Sequence, residues 1–520
     1  MKRVALVGSS GGNLYQLGGA NPAELLGQVR IQLVAAGIEL AAAVFVAASG
    51  SLDGGEVRTA TLWELLDGEP YRSREGTLAD VNEAARAADA AIAAAIDAGE
   101  IDGLILVSAD PLGCNSASVR AAAARGIPAA GTGGSGVAAA EQAGVRFISA
   151  SGTTGSSNST RAITFAAAFA RDWGLKSPDA GQRSPAELLR DLLKRIDPRP
   201  ILSDCLPTVV PVAVGLALVR YLPPDMGLPL IDPLLATISI VIAAFAATRV
   251  SRLAQAGLIA GAVAGAICSH DGLLSVLTAG LLAGFLGNWI VVRTAVWGWP
   301  STIGSMVASG GAGVAAGFAG VALGIVSRPI DRAILDAIDF GLANYGVWIG
   351  LAVGLAMWPL IRRGLYHTLI IPLMIIEYEG RGLSFLATAD VVALVVAAAG
   401  VAAAYALVPR VAGDRRVAMH TFRVTFWFGT YVEGIYPFVE ADRRVLFIAA
   451  LAGGAGTAVA GLGQGLGISY VPPWLLPFVG SSIPILLGAV ATSFGVAMVA
   501  ALALNVVTAF GSRRTATATR

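Results

Sequence analysis

The sequence predicts an N-terminal α/β parallel-sheet domain followed by a polytopic α-helical membrane domain of about ten spans with re-entrant hairpins. Three observations predict it. The chain of 520 residues is 55% hydrophobic and only 14% charged, where soluble domains carry about a quarter charged residues. Its mean hydropathy is +0.70. The acidic residues concentrate in residues 1–200, and from Leu206 onward long apolar runs are broken only by short charged clusters. The organisation read from this is a Rossmann-like domain over 1–178, an amphipathic linker helix over 179–200, a transmembrane domain over 201–510 and a disordered tail over 511–520.

Residues 1–178 repeat one pattern: apolar run, glycine or serine loop, helix. Strands are expected at Val4–Val7, Ala41–Val46, Leu104–Val107, Pro128–Ala130 and Phe147–Ser149, and helices at Pro22–Ala36, Leu78–Ala98, Ser116–Arg125 and Ser159–Trp173. Strands that alternate with helices imply a parallel sheet covered on both faces. Met1-Lys2-Arg3 is followed by only four apolar residues, against roughly 7–15 in a secretory signal. The domain is therefore expected on the cytoplasmic side.

The loops carry the candidate chemistry. Gly8-Ser9-Ser10-Gly11-Gly12-Asn13, Ala48–Ser51, Gly131-Thr132-Gly133-Gly134-Ser135-Gly136 and Gly152–Asn158, with Thr153, Thr154 and Ser156, all follow strands. Ligands of open parallel sheets bind outside the carboxyl ends of the strands, and helix N-termini attract anions. Such a rim suits a phosphate, a nucleotide or a sugar phosphate as cofactor or ligand. The spacing matches neither the dinucleotide fingerprint nor the Gly-Lys-Ser/Thr phosphate loop, so tight turns with serine caps are the structural alternative. Cys114 begins a helix, where thiol pKa values fall, but Asp110 opposes that shift and the domain has no histidine to activate a nucleophile. No catalytic residue is assigned. Cys114, Cys205 and Cys268, with His270, His367 and His420, have no metal-ligand spacing. The net charge of +1 gives no case for nucleic acid.

Pro185–Ile196 places Leu188, Leu189, Leu192 and Leu193 among charged residues, as in a helix on a membrane surface or an ordinary linker helix. The candidate spans are Leu206–Leu222, Leu228–Ala247, Ala254–Cys268, Leu273–Val292, Ile303–Ile325, Val347–Ile361, Val391–Val408, Val445–Leu462, Trp474–Leu487 and Val490–Val507. Gly280 and Gly284 form a small-residue pair for close helix approach. Arg249, Arg252, Arg293, Arg362 and Arg363 fit cytoplasmic span ends, whereas Arg328 and Arg332 do not.

Two apolar stretches hold ionisable residues, Gly364–Glu377 with His367 and Phe426–Phe438 with Glu433. Ionisable groups at membrane depth mark function by default. Carboxylate, imidazole and aromatic rings together suit a sugar. The expected solute-binding residues are Glu433, His367, Gly434, Thr430, Tyr431 and Asn288; Glu377 and Glu379 read as solvated ends of a hairpin. The alternative for Glu433 and His367 is an interfacial position facing water.

Tyr431-Val432-Glu433-Gly434-Ile435-Tyr436-Pro437-Phe438-Val439-Glu440-Ala441-Asp442-Arg443-Arg444-Val445 resembles the glutamate-containing stretch of fructose-type enzyme IIC, the membrane component of bacterial phosphotransferase-system sugar permeases. Gly257–Gly261 and Gly280–Asn288 resemble the glycine-rich early helices of that family. The resemblance covers roughly Pro200–Val507. It implies a homodimer in the bacterial cytoplasmic membrane, re-entrant hairpins, elevator-type movement, and a sugar-contacting glutamate at Glu433. His367 matches a polar residue of the second dipping segment less closely. Cys114 is displaced from its strand relative to a phosphate-accepting IIB cysteine, and no phosphohistidine domain is seen. Three functions follow as expectations: a transporter of a sugar, polyol or similar small polar solute; a membrane sensor without flux; and a membrane-anchored enzyme acting through residues 1–178.

Overall fold

The computed structural model describes residues 1–11, 14–48, 59–152, 156–175, 190, 198–251, 253–411 and 413–518. Gly12, Asn13, Thr153, Thr154, the loop after Ala48 and the linker helix apart from Arg190 and Pro198–Pro200 lie outside the described residues. The chain forms two compact units.

The first unit comprises Met1–Ile196, Ala246–Val263 and Gly280–Ala316. Its sheet is built from β1 (Lys2–Ser9), β2 (Ile38–Ala48), β3 (Ala60–Leu66), β4 (Glu69–Gly76), β5 (Gly103–Val107), β6 (Pro128–Thr132) and β7 (Arg146–Ser151), in the order β4-β3-β2-β1-β5-β6-β7. β2, β1, β5, β6 and β7 run parallel. β3 and β4 add an antiparallel hairpin, so the sheet is mixed and not parallel throughout. The hairpin turns at Asp67 (φ 51°) and Gly68 (φ 78°), a pair of left-handed residues that matches the twist of the flanking strands.

The helices are α1 (Pro22–Ala35), α2 (Leu78–Asp97), α3 (Ser116–Arg125), α4 (Gly134–Gln142) and α5 (Asn158–Asp172). Successive residues of β1 feed opposite cores. Val4 and Leu6 pack with Leu25, Leu26 and Val29 of α1 and Phe165 and Phe169 of α5. Ala5 and Val7 pack with Val81, Ala85 and Ile92 of α2 and Val119 of α3. A strand buried on both faces reads as a continuous apolar run, which is why β1, β2 and β5 are visible in the sequence.

α5 is buried almost all round. Its second face, Ile163 and Ala167, packs on Leu253, Ala256, Val291, Val292, Ala295 and Ala308. Arg171 donates to the carbonyls of Ala295 (3.3 Å) and Val296 (3.2 Å), capping the end of the apolar helix Leu273–Val296. Ser151 hydrogen-bonds Ser301 across 2.8 Å. Apolar packing and polar caps thus bind the sheet domain to the apolar helical segments of the same unit. The expected close approach at Gly284 is present: a Cβ there would lie 2.3 Å from the Ala247 carbonyl oxygen.

The second unit comprises Asp197–Phe245, Ala264–Ala279 and Gly317–Arg520 and is helical. Among the described residues of the whole chain, six helices are long and apolar enough to cross a membrane: Pro224–Val250, Leu273–Val296, Ser301–Arg362, Phe385–Leu407, Arg443–Leu462 and Ile483–Thr508. Asp204–Val219 and Gln255–Ile267 are shorter apolar helices. The expected spans Ile303–Ile325 and Val347–Ile361 belong to one helix of 62 residues, bent at Tyr345 (φ −133°, ψ 24°). Trp474–Leu487 is no span: a short turn, Leu476–Val479, precedes the last helix, which starts at Ile483. That last helix runs on to Ala518, through most of the expected tail. Gly346, Gly350 and Gly354 lie against Gly461, Thr457 and Gly453; a Cβ at each would come within 2.5 Å of backbone oxygens. Small residues at i, i+4 and i+8 allow this approach where no hydrophobic force separates helices from lipid.

Candidate functional sites

The parallel strands follow the order β2-β1-β5-β6-β7, so the direction of winding reverses between β1 and β5. Ligands of such sheets sit in the crevice at that point. The structure gathers the loops after β1, β5, β6 and β7 at this edge. Ser9 donates from Oγ to the Ser108 carbonyl (2.8 Å). Ser108 N donates to Thr132 O (2.7 Å), and Gly133 N to Ser151 O (3.1 Å). Two glycines are required by crowding. A Cβ on Gly8 would meet the Val107 carbonyl oxygen at 1.9 Å, and one on Gly136 the Ala109 oxygen at 2.4 Å. Ser108 holds φ 43°, a conformation that costs a non-glycine residue about 1–2 kcal/mol.

Most of the hydroxyls expected to meet a ligand are engaged within the protein. Ser10 is buried and its Oγ accepts from Ala48 N (2.9 Å). Ser9 Oγ also accepts from Gly11 N (3.2 Å). Thr132 is buried and donates to Gly152 O (3.0 Å). Ser156 Oγ accepts from Arg161 Nε (3.0 Å). These groups shape the rim. Gly131 and Gly133 are buried beneath it, while Gly134 and Ser135 are exposed at the start of α4, which no side chain caps.

Two residues unremarked in the sequence organise the rim. Arg161 is fully buried and donates to Leu17 O (2.9 Å), Ser156 O (2.8 Å) and Asn158 Oδ1 (3.1 Å). Burial lowers its pKa to about 10, so it remains a cation at neutral pH. Asp89 of α2 is also buried. It accepts from Ala117 N (2.9 Å), Ser118 N (3.1 Å) and Ser118 Oγ. The N-terminus of α3 is therefore occupied by an internal carboxylate. Asp110 accepts from Gly113 N and Cys114 N. Burial raises the Cys114 thiol above its usual 9.0, opposed by Arg86 and assisted by Asp110 and Asp89, so the helix start does not activate it.

In the second unit, the stretch around Glu433 leaves the α-helix. The helix Asp414–Phe428 ends at Gly429 (φ 72°). Tyr431 follows at φ 70°, then a 3₁₀ turn, Val432–Ile435, and the helices Tyr436–Ala441 and Arg443–Leu462. A Cβ on Gly429 would meet Val471 O at 2.3 Å, and one on Gly434 would meet Thr421 Oγ at 2.4 Å. Thr421 donates to the Gly434 carbonyl (3.2 Å). Glu433 and Thr430 are exposed, and Gly434 is buried. Tyr470, itself at φ 55°, is within electrostatic range of Glu433, as is Tyr436. Bulky residues with positive φ are rare and collect at functional sites. Here Tyr431 and Tyr470 both bracket the glutamate.

His367 is exposed on the helix Tyr366–Arg381, edge-on to Tyr366 at 5.4 Å between ring centroids. Tyr366 is the inward residue: it is 2% exposed and donates to Asp390 Oδ1 (2.8 Å). Asn288 is half-buried in the first unit. Glu377 and Glu379 are not solvated hairpin ends. Glu377 is fully buried and accepts from Arg381, Ser384 Oγ (2.5 Å), Phe385 N (3.0 Å) and Leu386 N (3.2 Å). Arg381 also pairs with Asp339 (2.5 Å). Glu379 accepts from Ser239 Oγ (2.8 Å). Arg381 stands four residues after Glu377, a helical ion-pair spacing that was available to find it.

Comparison of the sequence with protein-family models and with curated proteins finds no match.

Proposed function

We propose that the chain is a membrane transporter for a sugar, polyol or similar small polar solute, built like the IIC permeases it resembles, with Glu433 as the solute contact. One observation carries this reading. A carboxylate is displayed on a 3₁₀ turn between the amphipathic helix Asp414–Phe428 and the apolar helix Arg443–Leu462, with Tyr431 two residues before it and Tyr436 and Tyr470 within electrostatic range. Carboxylate oxygens accept from solute hydroxyls, and tyrosines supply both ring faces and hydroxyls. Thr421 and Gly429 hold the segment in place, so the binding geometry is pre-formed. The homodimer and the bacterial cytoplasmic membrane belong to the same proposal. Uptake of a panel of labelled hexoses and hexitols into proteoliposomes tests it. Uptake that Glu433→Gln abolishes is expected. Uptake unchanged by that substitution sinks the assigned site, and no uptake of any of them sinks transport of this solute class.

A sensor is the second reading, favoured by the docking of α5 on Leu253, Val291, Val292 and Ala295. A domain packed into its membrane partner is coupled to it, whereas one on a flexible tether is not. In either reading the rim ligand is a nucleotide or sugar phosphate. Its anionic group goes to the uncapped start of α4 at Gly134–Gly136, because Asp89 already fills the start of α3. A sensor predicts binding without flux.

A further inference from the structure

We propose that Asp390 is a proton-carrying site and that Tyr366 and Tyr470 connect it to the water-accessible surface at Glu433, so that solute movement is coupled to proton movement. The inference rests on the transport reading for its coupling arm and stands apart from it for the proton site.

Asp390 lies in the apolar helix Phe385–Leu407, whose most apolar window is buried throughout. It is 6% exposed. Among the described residues it forms no ion pair, and the hydroxyl of Tyr366 donates to it at 2.8 Å. A carboxylate anion in such a place, with a neutral donor and no cation, is strongly disfavoured against the protonated acid. Ionisable residues are kept inside membrane bundles for proton or ion relay more than for stability.

The backbone at this point is irregular. Asp390–Val396 forms a π turn, and π turns inside helices are frequent at functional sites. The widened turn is supported from two other helices: Ser493 Oγ donates to Val392 O (2.7 Å) and Trp358 Nε1 to Ala393 O (2.8 Å). Trp358 is fully buried. Two side-chain donors from other helices therefore serve consecutive carbonyls of the π turn.

A path leads outward. The Tyr470 hydroxyl lies beside that of Tyr366 and within electrostatic range of both Asp390 and Glu433. Tyr470 is 43% exposed and held at φ 55°. The titratable groups facing Asp390 are Tyr366 and Tyr378 of the helix Tyr366–Arg381 and Tyr470 of the loop after the helix Arg443–Leu462. Tyr378 is turned away to Ser469, accepting from its N–H (2.8 Å). The helices Asp414–Phe428, Arg443–Leu462 and Ile483–Ala518 bring no charged group to Asp390 among the described residues. The transfer balances. Tyr366 passes its proton to ionised Asp390 and takes one from Tyr470, which takes one from a hydronium ion beside Glu433 and leaves it as water. Each hydroxyl gives one proton and receives one, so the hydronium charge is spent on neutralising Asp390.

Infrared titration of the full chain in lipid nanodiscs, in H₂O and D₂O, reads the proton directly. The C=O stretch of a protonated, deuterium-exchangeable carboxyl is expected, lost in Asp390→Asn and shifted in Tyr366→Phe, which keeps the ring and removes the donor. A wild-type spectrum with no band removed by Asp390→Asn, in protein shown to be folded by its thermal transition, overturns the proton site. In proteoliposomes, uptake of labelled hexoses and hexitols under an inward proton gradient is expected to be lost in Asp390→Asn. Gradient-driven uptake that survives this substitution overturns the coupling. If wild-type vesicles take up none of the panel while the infrared band stands, the transport reading fails for this solute class and the proton site does not.

Discussion

Asp89→Ala tests whether the sheet domain depends on an internal carboxylate for the start of α3. Asp89 is 1% exposed and takes hydrogen bonds from Ala117 N, Ser118 N and Ser118 Oγ. The Ser118 hydroxyl can turn to the Asn115 carbonyl, already 3.4 Å away. The two backbone N–H groups have no such substitute, and each buried orphan donor costs about 1–3 kcal/mol. Relief of a buried charge offsets part of that loss, leaving a net cost of about 2 kcal/mol. Hydrogen exchange of the full chain in detergent reads this locally. Peptides spanning 108–125 should exchange roughly 30-fold faster, with α5 little changed. A pH arm has a definite sign. Burial raises the Asp89 carboxyl above its ordinary 3.8, against the hydrogen bonds from Ser118 and Ala117. Its contribution to stability is therefore full below pH 3.8 and is lost as pH rises through the higher folded value. Asp89→Ala should remove that slope. Unchanged exchange over 108–125, together with an unchanged pH slope, refutes the reasoning.

Further outcomes are expected elsewhere. Gly8→Ala forces a methyl into the Val107 carbonyl and should destabilise the sheet domain by about 3 kcal/mol, visible as a lower thermal midpoint of the full chain. Ala167→Glu buries a carboxylate among Leu253, Val291 and Ala295; peptides from the end of the helix Leu273–Val296 should lose exchange protection, while the sheet strands keep theirs. Asp442 caps the helix Arg443–Leu462 and pairs with Arg444 and Arg410. Those guanidinium hydrogen bonds, Arg444 first, hold its carboxyl below the usual 3.8. The stability it supplies is present above pH 3.8 and lost as pH falls through the lower folded value. Asp442→Asn should cost about 2 kcal/mol at neutral pH and flatten the acid limb of a thermal-stability profile.

The parallel strands were legible because burial on both faces leaves unbroken apolar runs in β1, β2 and β5. The hairpin was not. β4 reads Glu-Pro-Tyr-Arg-Ser-Arg-Glu-Gly and lies largely exposed at the sheet edge, so no apolar run marks it. Its one clear signal was the Asp67-Gly68 turn pair. Hydropathy also divided the helix Ser301–Arg362, because Arg328, Asp331 and Asp339 interrupt the apolar pattern. The backbone stays helical through them, since Arg328 pairs with Asp271 (3.1 Å), Asp331 accepts from Leu273 N (2.6 Å) and Asp339 pairs with Arg381. The break in the expected span Trp474–Leu487 follows Gly480-Ser481-Ser482, with Pro484 close behind. Glu433 and its glycine could be picked out in sequence because a carboxylate stands among aromatics. Asp390 could not, because its partner Tyr366 is 24 residues away. The sequence reading settled on the neighbouring His367, whose exposed ring leaves the buried network to Tyr366.

The proposed transporter would hold its small polar solute at Glu433. Its most direct test is a structure of the full chain determined in lipid with a saturating hexose or hexitol that the vesicles take up. Solute density is expected within hydrogen-bonding distance of the Glu433 carboxylate, flanked by Tyr431, Tyr436 or Tyr470. Density over Gly134–Gly136 with none beside Glu433 contradicts it.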